Sequence, residues 1–149
     1  MRYIWFRLLA TYGPADSSTN MIPSVIQTLL KGKSPAMTRG EQKWDYLFVE
    51  DAAEAISLAG IHPSLDGIFN LGYGKAYTVR TIAERIRDLM DPSLPLGLGM
   101  IPYAEGKPMH LEADVSRIQT ALHWKPRTNL DKGLPVTVSW YGQLKEQLA

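Results

Sequence analysis

A short glycine-containing stretch, Gly72-Tyr73-Gly74-Lys75, has the residue types most suggestive of phosphate chemistry. In a phosphate-binding loop, backbone N–H groups surround the phosphate and the lysine neutralises its charge. That motif also requires a glycine at position 69 and a serine or threonine at position 76, where this sequence has Phe69 and Ala76. The stretch therefore does not predict a phosphate-binding loop.

Metal and nucleic-acid chemistry are also disfavoured by the residue types present. The sequence has no cysteine, and its three histidines, His62, His110 and His123, lie far apart without metal-ligand spacing. Sixteen basic residues against fifteen acidic ones leave a net charge of +1, with no Lys/Arg cluster. We therefore expect no metal site and no nucleic-acid partner, whereas a small anionic ligand is compatible with this charge.

The length and hydropathy fit one globular domain. The 149 residues are 45% apolar, and no stretch approaches the 18 apolar residues of a membrane-spanning helix. The apolar run at the amino terminus has no cleavage-site pattern. We expect a cytoplasmic protein without a membrane partner.

The segment from Gly40 to Ala55 is the most informative part of the chain. A strand from Trp44 to Phe48 is predicted to lead directly into an acidic helix start. The apolar positions of that helix fall at helical spacing: Val49, Ala52, Ala53, Ile56 and Ala59. By itself this pattern fits a buried strand followed by a surface helix without any chemistry.

The other elements predict an α/β protein. Residues 3 to 9 are a nearly continuous apolar run, as in a strand buried on both faces of a parallel sheet, and such a strand needs neighbours. Asn20 is predicted to cap a helix with its side-chain oxygen. Residues 33–38 and 44–48 are predicted to form an antiparallel hairpin. Thr78 is predicted to cap an amphipathic helix whose inward residues are Val79, Ile82, Ala83, Ile86, Leu89 and Met90.

Several matches, in order along the whole chain, carry a resemblance to a known family. They are Tyr12-Gly13-Pro14, Gln42 to Asp51, Asn70-Leu71-Gly72, Asp114 with Ser116, Trp124-Lys125-Pro126 and Gly133-Leu134. Together they resemble the extended short-chain dehydrogenase/reductase family, the NAD-dependent nucleotide-sugar epimerases, dehydratases and reductases. The resemblance implies the last strands of a Rossmann-like parallel sheet plus a small α/β substrate-binding subdomain. Residues 1–149 would then be the carboxyl-terminal part, with the dinucleotide-binding part absent.

The resemblance also assigns roles to individual residues. It places the diphosphate of a nucleotide-sugar near the predicted helix start and the nucleotide base along the following strand. The implied substrate contacts are Asn20, Met21, Pro35, Ala36, Met37, Trp44 and Lys107, and the implied cofactor contacts are Leu8 and Tyr12. We expect Asn20, Met37, Trp44 and Lys107 to line one pocket.

Three positions depart from the family pattern. Trp44 and Ala104 stand where relatives have phosphate-binding arginines, and Ala10 stands where many have asparagine. Tryptophan cannot neutralise a phosphate, but its face can stack on a base or a sugar. Lys107 is the candidate replacement charge near Ala104.

The residues that family catalysis requires are not found in this sequence. No Gly-rich turn suits a dinucleotide pyrophosphate. A Tyr-x-x-x-Lys pair, whose phenol acts as acid and base, has the right spacing only at Tyr103/Lys107 and Tyr141/Lys145, in unsuitable settings. We predict no catalytic residue here. NAD or NADP would serve the complete family enzyme, but we expect none to bind tightly to this chain alone.

Two functions follow from these observations. The first is the substrate-binding portion of an amino-terminally truncated nucleotide-sugar epimerase, dehydratase or reductase, which binds the nucleoside diphosphate of the sugar. The second is a non-catalytic module that binds a nucleotide-sugar or docks onto a partner. Because the strand at residues 3 to 9 would lack its neighbours, we also expect association with a second copy or with a cofactor-binding half.

Overall fold

The computed structural model describes residues 3–147, and the side chains of residues 3–144. Within this range the helices are α1 (Met21–Leu30), α2 (Val49–Ile61), α3 (Val79–Met90), α4 (Ser116–Leu122) and α5 (Leu130–Gln147). The strands are β1 (Ile4–Leu8), β2 (Thr11–Tyr12), β3 (Ala36–Met37), β4 (Lys43–Trp44), β5 (Leu47–Phe48), β6 (Gly67–Leu71), β7 (Tyr77–Thr78), β8 (Gly97–Leu98) and β9 (His110–Leu111).

The two longest strands, β1 and β6, form a parallel pair. The outer edge of β6 is covered, since the Arg117 guanidinium donates to the Ile68 carbonyl at 2.9 Å and the Asn70 amide donates to the Asp114 carbonyl at 3.1 Å. The outer edge of β1 has no strand partner among residues 3–147. The sheet is therefore open on the β1 side.

The burial of β1 differs from the prediction. Ile4 and Phe6 pack against the core, but Trp5 is 64% exposed and Leu8 is 46% exposed. A parallel strand is buried on both faces only when helices cover both sides of the sheet. The described residues cover one side, so the expectation of a strand buried on both faces is wrong for this structure.

The predicted strand from Trp44 to Phe48 is in fact two strands. β4 pairs with β7 and β9, whereas β5 pairs in parallel with β2. The chain bends between them at Asp45, whose side chain is fully buried. Its carboxylate accepts hydrogen bonds from the backbone N–H groups of Tyr73 at 2.8 Å, Gly74 at 2.9 Å and Ala113 at 3.2 Å. These bonds satisfy a charged group away from water and hold two loops against the bend.

The predicted hairpin between residues 33–38 and 44–48 is wrong. β3 pairs in parallel with β8. The turn that was expected to close the hairpin is attached to α3, because the Gly40 carbonyl accepts from the Arg80 N–H and the Gln42 carbonyl accepts from the Val79 N–H, both at 2.9 Å. The chain therefore leaves β3 toward α3 rather than turning back alongside it.

The helices bury two hydrophobic clusters. One lies between α1, α3 and α5, and the other lies between α2, α4 and β6. The predicted cap of α3 is confirmed, since the Thr78 hydroxyl accepts from the Thr81 N–H at 3.0 Å. The strand-to-helix order at Phe48 and Val49 is also confirmed.

The predicted apolar face of α2 is confirmed at Ala52 and Ala59 and wrong at Val49, Ala53 and Ile56, which are exposed. Its buried alanines are Ala52, Ala55 and Ala59, while Val49 and Ile56 are exposed. The small alanine side chains let α2 approach its neighbours closely. This close packing stabilises the helix on its alanine face, although larger apolar side chains are present on its other side. Leu89, predicted to face inward, is exposed near the end of α3.

Candidate functional site

Three adjoining cavities meet around Trp44 and Met21. The aromatic cavity, of about 430 Å³, is lined by residues that include Leu8, Asp16, Asn20, Met21, Trp44 and Tyr46. The strand cavity, of about 250 Å³, is lined by residues that include Met21, Pro35, Ala36, Met37, Thr38 and Gln42. The lysine cavity, of about 300 Å³, is lined by residues that include Thr38, Gln42, Trp44, Tyr103 and Lys107. Shared lining residues connect each cavity to the other two.

The structure brings all the predicted ligand contacts except Tyr12 onto these cavities. Asn20 and Trp44 line one cavity, as expected, but Met37 and Lys107 line the neighbouring two. The single expected pocket is thus three connected ones. The role of these residues as ligand contacts stays a prediction.

Trp44 and Tyr46 form one wall of the aromatic cavity. They follow each other at alternate positions across the Asp45 bend, and their rings stack with centroids 6.3 Å apart and planes 26° apart. The Trp44 indole N–H is buried without an acceptor among the described residues. Burial raises the pKa of the Tyr46 phenol well above its usual value, and the nearby Asp16 carboxylate raises it further. Tyr46 therefore stays neutral and protonated.

The start of α1 forms the opposite wall. Asn20 occupies the predicted cap position, but its side chain makes no capping bond. The Asn20 amide nitrogen instead donates to the Asp16 carboxylate at 2.8 Å, and this charge-assisted bond fixes the orientation of the side chain. The predicted side-chain cap is therefore wrong. The Asp16 carboxylate also places negative charge beside a helix start that was expected to hold a phosphate.

The strand cavity follows the edge of β3. The Pro35 carbonyl accepts from the Gly97 N–H at 3.1 Å and the Met37 carbonyl accepts from the Ile101 N–H at 3.2 Å. These bonds fix the β3 backbone against β8, and the cavity lies between that backbone, Met21 and Gln42. The wall is thus mostly apolar and held in place by backbone pairing.

The lysine cavity contains the cation that the sequence suggested. Lys107 forms no ion pair with residues 3–144, so its charge is available to an anion. Tyr103, on the same cavity, accepts from the Glu41 N–H at 3.0 Å and donates to the Glu41 carboxylate at 3.4 Å. Tyr103 therefore serves to connect its loop to the turn before β4.

The two predicted cofactor contacts have different surroundings. Leu8 is exposed at the end of β1 and lines the aromatic cavity. Tyr12 is 1% exposed, and its ring packs edge-on against Phe48 and Tyr46. Burial, followed by the charge of Asp51, raises the pKa of its phenol. The Tyr12 ring is a core element, so any cofactor contact at this position involves its backbone.

The tyrosines of the two Tyr-Lys spacings both form hydrogen bonds with other residues. The Tyr141 hydroxyl donates to the Asp16 carbonyl at 2.7 Å, and the side chain of Lys145 lies outside the described residues. Tyr103 is engaged with Glu41 as described above. Both phenols therefore have structural hydrogen bonds.

The most important residue that sequence reasoning missed is Asp45. The N–H groups of Tyr73 and Gly74, in the stretch that superficially suggested phosphate binding, donate to its carboxylate. A Cβ atom on Gly72 would lie 2.6 Å from the same carboxylate, so only glycine fits there. The loop thus holds an internal anion instead of a phosphate. The signal available in the sequence was an aspartate inside an otherwise apolar strand.

Residues 3–147 provide neither a cluster of metal ligands nor a membrane-spanning helix. No group of three or more histidine, aspartate or glutamate side chains is arranged to hold a metal ion. None of the helices formed by residues 3–147 combines the length and apolar character needed to cross a membrane.

Comparison with known sequences gives consistent matches. Residues 1–72 match the model of the NAD dependent epimerase/dehydratase family. The dTDP-glucose 4,6-dehydratase of Salmonella typhimurium is 31% identical over 137 residues, which cover 87% of this chain and 38% of that protein. UDP-glucuronic acid decarboxylase 1 of Arabidopsis thaliana is 29% identical over 136 residues, which cover 89% of this chain and 31% of that protein. The chain spans well under half the length of these relatives.

Solved structures show the same fold. UDP-N-acetylglucosamine 4-epimerase from Methanobrevibacter ruminantium, in complex with UDP-N-acetylmuramic acid, has a TM-score of 0.87 at 24% identity, over 97% of this chain and 47% of that one. The dTDP-glucose 4,6-dehydratase from Bacillus anthracis, in complex with NAD, has a TM-score of 0.85 at 23% identity, over 96% and 45%. These likenesses confirm the predicted α/β, Rossmann-like fold.

Proposed function

The chain belongs to the NAD-dependent epimerase/dehydratase family, and we propose that its 149 residues form the part that binds the nucleotide-sugar substrate. The resemblance drawn from the sequence motifs is thereby confirmed at the level of the family. The observation that carries the proposal is the meeting of predicted contacts from five separate segments on three connected cavities. The named relatives act on nucleotide-sugars, which supports this class of ligand.

The nucleoside diphosphate lies, in this proposal, along the strand and lysine cavities. The apolar wall formed by Pro35, Ala36 and Met37 suits the flat face of a base. Lys107 supplies the charge that a phosphate requires, without a competing ion pair among residues 3–144. Trp44 lines both the lysine cavity and the aromatic cavity and offers stacking area to the ligand.

In this proposal the cofactor is held mainly by residues outside these 149. The neighbouring solved structures include complexes with NAD and NADPH. The residues described here include no Gly-rich loop for a pyrophosphate, so weak cofactor binding by this chain alone stays a prediction. Leu8 and the backbone at Tyr12 lie at the ends of β1 and β2, where a cofactor held by another domain would approach.

A second candidate function is docking to such a cofactor-binding half or to a second copy. It is favoured by the open edge of β1, where Trp5 and Leu8 are exposed. An unpaired strand with apolar side chains associates readily with another strand. Docking and ligand binding are separable, because Trp5 lines none of the three cavities described above.

The test is calorimetric titration of the 149-residue chain with UDP-glucose and dTDP-glucose. We expect Trp44→Ala to weaken binding about tenfold through lost stacking, with unchanged salt dependence. Trp44→Arg should strengthen diphosphate binding and make it more sensitive to salt, because a guanidinium pairs with phosphate oxygens. Trp5→Ala is the control and should bind as the unmodified chain does.

The outcomes separate the two functions. Equal binding by all variants at position 44 would show that Trp44 is structural. If the unmodified chain binds neither nucleotide-sugar, ligand binding is overturned and docking alone remains.

A further inference from the structure

We propose that the open edge of β1 pairs antiparallel with β1 of a second copy of this chain, in the register that sets Phe6 opposite Phe6 of the second copy. This pairing deepens the docking function proposed above, on which it rests, by naming the partner and the register. Its two deciding side chains, Trp5 and Arg7, line none of the three cavities, so the pairing can be tested separately from ligand binding.

The two edges of the sheet formed by β1 and β6 differ. The β6 edge is closed by the bonds that Arg117 and Asn70 donate to backbone carbonyls. The β1 edge has no strand beside it among residues 3–147. Natural sheet edges are often protected by a proline, a lysine or a bulge. Residues 4–8 contain neither residue type and pair with β6 in unbroken register, so β1 is the edge available for pairing.

The backbone of β1 decides which of its residues can bond a further strand. The Tyr3 carbonyl accepts from the Gly67 N–H at 2.8 Å. At the other end of the strand, the Leu9 N–H donates to the Leu71 carbonyl at 3.4 Å. Backbone groups alternate between the two edges of a strand. The odd-numbered residues of β1 therefore bond β6, and the even-numbered residues direct their N–H and C=O groups toward the open edge.

A two-fold axis at Phe6 pairs all of these free groups. Phe6 then exchanges both backbone bonds with Phe6 of the second copy, and Ile4 exchanges both with Leu8 of the second copy. An axis at Trp5 would leave Leu8 without a partner in β1. An axis at Arg7 would leave Ile4 without one and would set two guanidinium groups opposite each other, which is unfavourable. The backbone therefore favours the axis at Phe6.

The same register matches the exposed side chains. It sets Trp5 opposite Arg7 of the second copy at a non-hydrogen-bonded position, where the side chains of antiparallel strands lie closest. Trp5 is 64% exposed, and Arg7 is exposed without an ion pair among the described residues. A guanidinium over an indole face is a favourable cation–π contact. The chain thus carries both halves of this contact at the spacing that two-fold pairing requires.

The other face of the sheet adds an apolar contact. Ile4 and Phe6 pack against the hydrophobic cluster of their own chain, and the Phe6 ring lies 6.5 Å from that of Phe69. The two-fold axis joins these clusters through the two Phe6 side chains. One short strand from each copy buries less than the roughly 1,200 Å² of stable interfaces, so we expect a weak, reversible dimer.

The test is sedimentation velocity over a concentration series of the 149-residue chain and its charge variants. Trp5→Lys sets a lysine opposite Arg7 of the second copy, and we expect dimerisation to weaken about tenfold. Arg7→Glu removes the cation from the indole face and should weaken it about fivefold to tenfold. The double variant of Trp5→Lys with Arg7→Glu faces opposite charges and should return to within about threefold of the unmodified chain. Val136→Lys, which adds the same charge as Trp5→Lys at an exposed apolar position of α5, is the matched control.

Recovery in the double variant supports both the pairing and its register. Any result without that recovery overturns it, including a monomer at every concentration or a dimer that neither single variant weakens. Titration of the same variants with UDP-glucose and dTDP-glucose keeps the two functions apart. Ligand binding by a monomeric chain would leave the proposed ligand-binding function standing, and a dimer that binds no ligand would leave the pairing standing. Far-ultraviolet circular dichroism of each variant verifies that a loss of dimer is not a loss of folding.

Discussion

Asp45 and the two aromatic residues beside it are consecutive in sequence, yet their polar atoms differ in whether the protein provides hydrogen-bond partners. The Asp45 carboxylate accepts three backbone hydrogen bonds, whereas the buried Trp44 N–H has no partner among the described residues. A buried polar group that the protein satisfies stabilises the fold. One that the protein leaves unsatisfied, on a cavity wall, is available to a ligand. The segment therefore combines a structural junction at Asp45 with a wall of the proposed ligand cavity.

The largest expected effect on stability comes from removing the Asp45 carboxylate. Asp45→Ala leaves three N–H groups without their acceptor, those of Tyr73, Gly74 and Ala113. We expect the free energy of unfolding to fall by about 3–5 kcal/mol, measured by urea denaturation at pH 7. The control is Asp131→Ala, which removes an exposed ion pair with Arg85 and should cost about 0–1 kcal/mol. A loss at Asp45 no larger than the control would show that the three bonds do not stabilise the fold.

A smaller effect on stability is expected from adding a side chain at Gly72, which lies against the Asp45 carboxylate. In Gly72→Ala the added Cβ would lie 2.6 Å from an Asp45 carboxylate oxygen and 2.7 Å from the Ala113 Cβ. We expect this overpacking to cost about 1–3 kcal/mol in the same denaturation experiment. Gly60→Ala has open space in α2 and should instead stabilise by about 0.5–1 kcal/mol, because alanine favours a helix. Changes of the same sign at both glycines would contradict the tight contact at Gly72.

The smallest expected effects on stability come from removing either of two tyrosine hydroxyls, those of Tyr141 and Tyr46. Tyr141→Phe removes a hydroxyl that donates to the Asp16 carbonyl at 2.7 Å, and we expect a loss of about 1 kcal/mol. Tyr46→Phe removes a hydroxyl without a partner, so the free energy of unfolding should stay within about 0.5 kcal/mol of the unmodified chain. Both are measured by urea denaturation without ligand. A clear loss in Tyr46→Phe would reveal a protein partner for this hydroxyl.

Local patterns predicted the helices well, because the interactions involved are local. The Thr78 cap bonds a residue three positions away, and the apolar stripe of α1 repeats within the helix itself. The strand from Trp44 to Phe48 was mispredicted because the bonds that bend it are long-range. Asp45 is separated from Tyr73 by 28 positions and from Ala113 by 68. A short stretch of sequence around residue 45 does not include those partners.

The candidate site was predictable in part, and for a different reason. The resemblance placed Asn20 and Trp44 together, and both line the aromatic cavity. The bond between Asn20 and Asp16 was missed because the sequence pattern considered only the amide oxygen as an acceptor for helix N–H groups, and not the amide nitrogen as a donor to Asp16. The unpartnered Trp44 N–H was also not predictable, since the absence of an acceptor depends on every segment that surrounds it.

The pairing of β1 with β6 also sets an order of events during synthesis. Tyr3 and Asp66, which are hydrogen-bonded beside the two strands, are 63 positions apart. At about 5–20 residues per second, the ribosome makes the second strand roughly 3–13 s after the first. Throughout that interval β6, the strand with which β1 pairs in this structure, has not yet been made. Nascent chains on one messenger RNA therefore expose the same apolar segment to chaperones and to one another. The speed of translation then influences the yield of folded protein.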